Sequence, residues 1–266
     1  FTAQHIVATH NLRALEQALG GLVSHITDPH WREVFLLTAA MLCSADSLVQ
    51  LMKQQIDALV AQDPYLQEFL KWASQKSQTI PTEPKLATAR AFYLALAQTP
   101  HTANHFALAS TLDQGMFLDA ALENLLLEFA TRHSQDFAHV NACSEALNNI
   151  LVMVLDAGFY KSLQQLRDQL PSPSQTRERL QDWWRENYAD WVERLRGVIA
   201  NYRNIHRPWQ FTPEQQQVLQ RYYDANQLLI DCLNSNCEVT TAIRQEIEAT
   251  LLLPQKELED REWQGD

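Results

Sequence analysis

The stretch Arg203-Asn204-Ile205-His206-Arg207-Pro208-Trp209-Gln210-Phe211-Thr212-Pro213-Glu214-Gln215 joins the end of one helix to the start of the next. Pro208 closes the first, because a proline disfavours α geometry in the residue before it. Thr212 supplies an N-cap, Pro213 occupies the first helical position and Gln215 stands at N3, a strong start signal. The spacing predicts a helix from Pro213 to about Asn234. Val239-Thr240 opens another, which ends at Leu253-Pro254. Upstream, Trp184, Tyr188 and Trp191 fall four and three apart, so they share a face of the long helix that Pro208 closes.

Working towards the N-terminus, Pro171-Ser172-Pro173-Ser174 is the clearest punctuation in the chain. It predicts an N-terminal helical array over 1–170, a C-terminal helical module over 175–254 and an acidic tail over 255–266, exposed and frayed from Glu257. Within the array, apolar residues recur at helical spacing almost everywhere. Asn11 is read as the N-cap of a first helix, weakened late by Gly20-Gly21. Asp28-Pro29 starts a second, Ser44 or Asp46 a third and Asp63-Pro64 a fourth. Residues 75–85, with Pro81 and Pro84, read as a linker. A helix then runs to Pro100, and 102–170 form a long helical stretch with turns expected at Gly115 and Gly158. No strict repeat period is present, so the fold class is all-α: an irregular helical array or α-solenoid-like bundle of helix pairs.

Composition supports this. Only 6 glycines occur in 266 residues, too few for the positive-φ turns of β-hairpins and barrels. The net charge of -11 opposes indiscriminate nucleic-acid binding, which needs a basic surface. Apolar runs such as Val34–Leu37 and Leu125–Leu127 fall far short of the ~20 residues of a membrane span. Four cysteines, Cys43, Cys143, Cys232 and Cys237, are too sparse for a disulfide scaffold and read as reduced thiols of a cytoplasmic protein. The chain opens on Phe1 without a readable signal peptide, and a piece of a longer protein is the expectation.

Catalytic and metal constellations are weak. No Gly precedes a Lys, so no G-x-x-x-x-G-K-[ST] phosphate loop is present, and G-x-G-x-x-G and G-x-S-x-G are missing too. His101 with His105, and His139 with Cys143, are four apart but lack further ligands at metal-binding spacing, so no metal site is assigned. Glu33, near His30 and Trp31, suits the positive end of a helix better than catalysis. Arg177, Arg179, Arg185, Arg194, Arg196, Arg203 and Arg207 interleave with tryptophans, which would allow base stacking. Glu178, Asp182, Glu186, Asp190 and Glu193 nearly balance them at helical spacing, which favours a solvated face, packing core or protein-docking surface. Asn204, Asn226 and Asn234 read as amides fixing helix ends and contacts. Neither a catalytic residue nor a cofactor ligand is assigned.

The dense run Arg203–Pro254, including Tyr222-Tyr223-Asp224-Ala225-Asn226 and Leu251-Leu252-Leu253-Pro254, resembles the C-terminal helical region of bacterial NACHT-family signalling NTPases. Asp28-Pro29-His30-Trp31-Arg32-Glu33-Val34-Phe35-Leu36-Leu37 is more weakly similar to the helical end of the NTPase module in that family. Leu112-Asp113 and Leu118-Asp119-Ala120-Ala121-Leu122 are similar to its leucine- and aspartate-rich array. His206-Arg207-Pro208 departs from the Gly-His-Asp-like turn expected before the tryptophan.

The resemblance implies a non-catalytic sensor or autoinhibitory region for an NTPase switch with roles in antiviral defence. ATP or ADP and Mg would be held by an upstream core rather than by this segment. The implied partners are that upstream NTPase core and a protein or ligand trigger, with no membrane. The candidate interaction or motif residues are Trp31, Trp183, Trp184, Trp191, Arg203, Asn204, Trp209, Tyr222, Tyr223 and Asn226. The alternatives are a stand-alone helical scaffold for a partner protein and, behind it, a nucleic-acid-binding helical array.

Overall fold

Helix signals become helices. The computed structural model describes residues 2–8, 12–80, 86–98, 114–131, 137–172, 175–205 and 209–262. Among them are thirteen α-helices, one 3-10 turn and no strand. The N-terminal helices are α1 (Thr2–Val7), α2 (Leu12–Val23), α3 (Arg32–Met41), α4 (Asp46–Ala61) and α5 (Pro64–Ser77), with the 3-10 turn at Pro29–Trp31. Then come α6 (Leu86–Gln98), α7 (Gln114–Thr131), α8 (Phe137–Met153), α9 (Ala157–Arg167) and α10 (Arg177–Arg203). The chain closes with α11 (Pro213–Asn234), α12 (Thr241–Thr250) and α13 (Gln255–Glu262).

The chain forms two compact units, one of residues 1–75 with 210–266 and one of residues 76–209. The first therefore brings the two ends of the sequence together. The punctuation at Pro171–Ser174 falls inside the second, between α9 and α10.

In the first unit α11 is the central helix, packed on α4 and α3, while α2 and α12 also pack on α4. Its start is secured by a complete capping box: Gln215 N–H donates to Thr212 Oγ1 at 3.2 Å and Thr212 N–H to Gln215 Oε1 at 3.1 Å. Leu219, Tyr222, Ala225, Leu229 and Cys232 line its buried face against Leu48, Met52 and Ile56 of α4, which are fully buried. Burial of this kind contributes ~1.5–3 kcal/mol per large apolar side chain. It also pushes the Cys232 thiol up to about 12, which keeps it unreactive.

Asp63 caps α5, accepting from the Tyr65 and Leu66 N–H groups at 2.9 and 3.1 Å, and its other oxygen accepts from Gln215 Nε2 at 2.9 Å. Burial raises the Asp63 pKa, but the hydrogen bonds from Gln215, Leu66 and Tyr65 outweigh it and leave the carboxyl below its ordinary value. Phe211 packs edge-on to Tyr65 and Phe69, with centroids 5.7 and 5.0 Å away.

Several local expectations change. Gly20 and Gly21 lie within α2 without ending it, since a glycine in a helix costs only ~1 kcal/mol and neighbouring contacts outweigh that. The expected frayed tail is helical to Glu262: Gln255 N–H donates to Gln67 Oε1 at 2.7 Å and Ser74 Oγ to Glu257 Oε2 at 2.8 Å. Residues 263–266 lie outside the described residues, as do the Asn11 cap and the pairing of His101 with His105. Gly115 and Gly158 sit in the first turns of α7 and α9, at helix starts rather than mid-stretch turns. At Gly158 a Cβ would come within 3.1 Å of Tyr202 Oη, so its bareness admits the Tyr202 ring, which stacks on Phe159.

In the second unit α6 packs on α7, α7 on α8 and α8 on α9, and α10 packs against α7, α8 and α9. Trp191 anchors α10 there: it is fully buried, and its indole Nε1 donates to the Leu166 carbonyl at 2.9 Å. That carbonyl belongs to the last turn of α9, where it also accepts from the Gln169 N–H at 3.2 Å.

Candidate functional site

The arrangement with most chemical consequence is a buried cluster of charge in the second unit. It is centred on Asp119 of α7, whose side chain is wholly buried. Tyr93 of α6 donates its hydroxyl to Asp119 Oδ2 at 2.9 Å, and the Lys76 ammonium lies 2.9 Å from the same oxygen. Arg203, in the last turn of α10, donates Nε to Asp119 Oδ1 at 2.6 Å and Nη2 to the Gly115 carbonyl at 3.2 Å. Lys76 also donates to the Arg203 carbonyl at 2.7 Å and sits 4.9 Å from the centre of the Tyr93 ring. One carboxylate thus gathers two cations and a phenol from three other segments.

The electrostatics set the character of the cluster. Burial disfavours the Lys76 charge more than Asp119 restores it, and neighbouring Arg203 adds repulsion, so the Lys76 pKa is lowered. Arg203 reaches Asp119 because its helix ends where it does. Asn204 takes the left-handed conformation, φ 50°, and its N–H donates to the Ala200 carbonyl at 2.9 Å. Among non-glycine residues asparagine tolerates that conformation well. Pro208 was the expected terminator, yet the helix ends four residues earlier at this Asn204 cap.

The sequence-selected residues divide by burial. Trp191 and Tyr222 are fully buried, and Trp184 and Asn226 nearly so. Asn226 Nδ2 donates to the Tyr222 carbonyl one turn back at 2.8 Å. These four serve the cores of their units. Trp31 is half-buried, stacked parallel on His25 at 3.9 Å. Trp183, Trp209 and Tyr223 are also half-buried, Asn204 is exposed, and Arg203 enters the Asp119 cluster.

The segments Leu118–Leu122, with Asp119, and Arg203–Gln215 are therefore joined in space through the Arg203–Asp119 contact. Lys76 and Tyr93 were not selected from the sequence. The available signal was Asp119 itself: a carboxylate in the apolar run Leu118–Leu122 needs a buried partner.

Among the described residues no group of three or more His, Cys, Asp or Glu side chains is placed to hold a metal ion. Nor is any helix among them long and apolar enough to cross a membrane.

In a comparison with known families, residues 159–254 match the family described as NACHT C-terminal Helical domain 2. No curated protein and no solved structure matches the chain. The matched segment begins at Phe159 in the first turn of α9 and ends at Pro254, after α12, so it includes Trp191, Arg203, Asn204 and the Thr212 capping box. Its residues 159–209 lie in the second unit and 210–254 in the first. Residues 159–254 thus resemble a NACHT C-terminal helical domain, a match that supports a NACHT C-terminal helical region over that part of the chain.

Proposed function

We propose that this chain is the non-catalytic regulatory region of a NACHT-type NTPase, restraining an upstream nucleotide-binding core until a protein or ligand trigger is recognised. The observation that carries the reading is the family match over residues 159–254, in which Arg203 is the residue tied to buried Asp119. A restraint needs a two-state element on which a trigger can act. The Asp119 cluster is the candidate for that element. Removing a single partner from a buried ion pair costs ~3–5 kcal/mol. Moving a two-state equilibrium from mostly closed to mostly open takes ~5.5 kcal/mol of preference.

ATP or ADP with Mg belongs, in this reading, to the upstream core. The test is release of a fluorescent ADP analogue from the parent protein, comparing the natural sequence with Asp119→Asn. Loosening the cluster is expected to speed release. Unchanged release from a folded variant overturns the restraint, and a parent protein without a phosphate loop leaves the scaffold reading in its place.

A further inference from the structure

Charge is divided unevenly between the two units. Residues 1–75 with 210–266 hold 18 acidic side chains against 8 lysines and arginines, a balance of -10. Residues 76–209 hold 14 against 13, a balance of -1. The acidity of the chain is thus a property of its first unit.

Helix α3 of that unit keeps an apolar stripe on its surface. α1 and α11 pack on this helix, and its Phe35, Thr38 and Ala39 are buried. Glu33, Leu37, Ala40 and Met41 fall three or four apart, so they share one face, and all four are exposed. Leu37 and Met41 keep 47% and 42% of their surface open. A single exposed leucine is ordinary, but two large apolar side chains one turn apart match the spacing by which a second helix is gripped. Carboxylates stand at both ends of the stripe. Glu33 precedes Leu37 by one turn. Beyond Met41, the Glu238 carbonyl accepts from Ala45 N–H at 2.8 Å and Asp46 Oδ1 accepts from Thr240 N–H at 2.8 Å, which brings both acidic residues to the corner between α3 and α4. Arg32, the one lysine or arginine of α3, is already paired with Asp231 of α11.

Charge then selects what covers the stripe. A second copy would bring another unit of -10 against it, and a phosphate backbone or an anionic lipid surface is repelled in the same way. A small cation would leave Leu37 and Met41 uncovered. A helix with one apolar and one basic side answers both features. We propose that the outer face of α3 docks a basic amphipathic helix of a partner protein, with its apolar side on Leu37 and Met41 and its cations towards the carboxylates at either end. The second unit exposes larger apolar side chains, Val152 and Leu155, but its charge is balanced and selects no occupant. The proposal goes beyond the restraint of an NTPase core and does not depend on it.

The test uses the 266-residue chain with isotopically labelled methionine methyls, which gives four reporters. Met41 lies in the stripe, Met52 and Met116 are fully buried, and half-buried Met153 stands beside Val152 and Leu155. The probe is a capped peptide of leucine and lysine at helical spacing, about 14 residues or four turns long. Its controls are a leucine–glutamate counterpart and a scrambled peptide of the same composition. The leucine–lysine peptide is expected to shift Met41 saturably and to leave the other three methyls in place. Raising ionic strength from about 0.01 to 1 M shortens the screening length from ~30 to ~3 Å and is expected to weaken this binding. Leu37→Lys, at an exposed position, sets a cation in the stripe and is expected to weaken it about tenfold or more.

No shift at Met41 overturns the proposal. Equal binding of the scrambled or the glutamate peptide does so too, as does binding indifferent to Leu37→Lys. An equal shift at Met153 would show that apolar exposure alone draws the peptide, and a Met41 shift that follows chain concentration without peptide would give the face to a second copy; either overturns it. No nucleotide enters the experiment, so its failure is separable from failure of the regulatory reading.

Discussion

Asp119 holds Tyr93, Lys76 and Arg203 in the second unit, and these partners are not equivalent. Arg203 approaches through Nε and reaches the Gly115 carbonyl with Nη2, a planar two-point grip that lysine cannot reproduce. Lys76 differs in that burial disfavours its charge and lowers its pKa despite the neighbouring carboxylate. Asp119→Asn leaves two cations facing a neutral amide and is expected to cost ~3–5 kcal/mol, as breaking a buried pair from one side does. Lys76→Met removes a charge that burial disfavours and should cost clearly less; urea denaturation of both variants measures the order. The pH dependence has a definite sign. With the Lys76 pKa lower in the folded state, the unfolded chain binds more protons between the two values, so this residue makes stability rise as pH climbs through that window. The difference between the natural chain and Lys76→Met should show that rise on the alkaline side, and a flat difference would remove Lys76 from the account.

Element ends are where the sequence was most readable, because their chemistry is local. Thr212-Pro213-Glu214-Gln215 forms the expected capping box, and Asp63 caps the helix that begins at Pro64. Thr212→Ala should therefore cost ~1 kcal/mol, seen as a lowered denaturation midpoint with unchanged slope, whereas Thr212→Ser should cost little. A large loss from Thr212→Ser would mean that the threonine methyl, not the cap, matters there. Where a boundary depended on distant contacts, reading from pattern failed. Asn204 ends α10 before Pro208, and its position is fixed together with Arg203, whose partner Asp119 is 84 residues away. The tail helix α13 owes its order to Gln67 and Ser74, 188 and 183 residues distant from their partners. Leu252 is a similar case. It lies in the left-handed region at φ 61°, a strain of ~1–3 kcal/mol for a non-glycine residue, held by burial of Leu251, Leu252 and Leu253 together. The aromatic residues were legible as important but not by role: Trp191 and Tyr222 look like docking anchors in sequence and are core in space.

At the scale of the whole molecule, charge decides which partners the helical surface admits. The chain carries 32 acidic residues against 21 lysines and arginines, a net charge of -11 that repels a phosphate backbone. The arginines most suggestive of nucleic-acid binding lie on α10, and the structure accounts for several of them. Arg185 lies 3.4 Å from Asp182 and Arg196 3.4 Å from Glu193, each pair on the helix surface. Exposed pairs of this kind contribute only ~0–1 kcal/mol to stability, but they cancel local charge. Arg203 is committed to buried Asp119. Phosphate contact depends on releasing counterions from excess cations, and these surfaces offer little excess. Labelled single-stranded DNA and RNA should therefore show no salt-dependent binding to the chain at low ionic strength. If binding appears and weakens steeply as salt is raised, a basic surface must exist outside the paired arginines of α10, and the nucleic-acid array displaces a regulatory region that recognises protein.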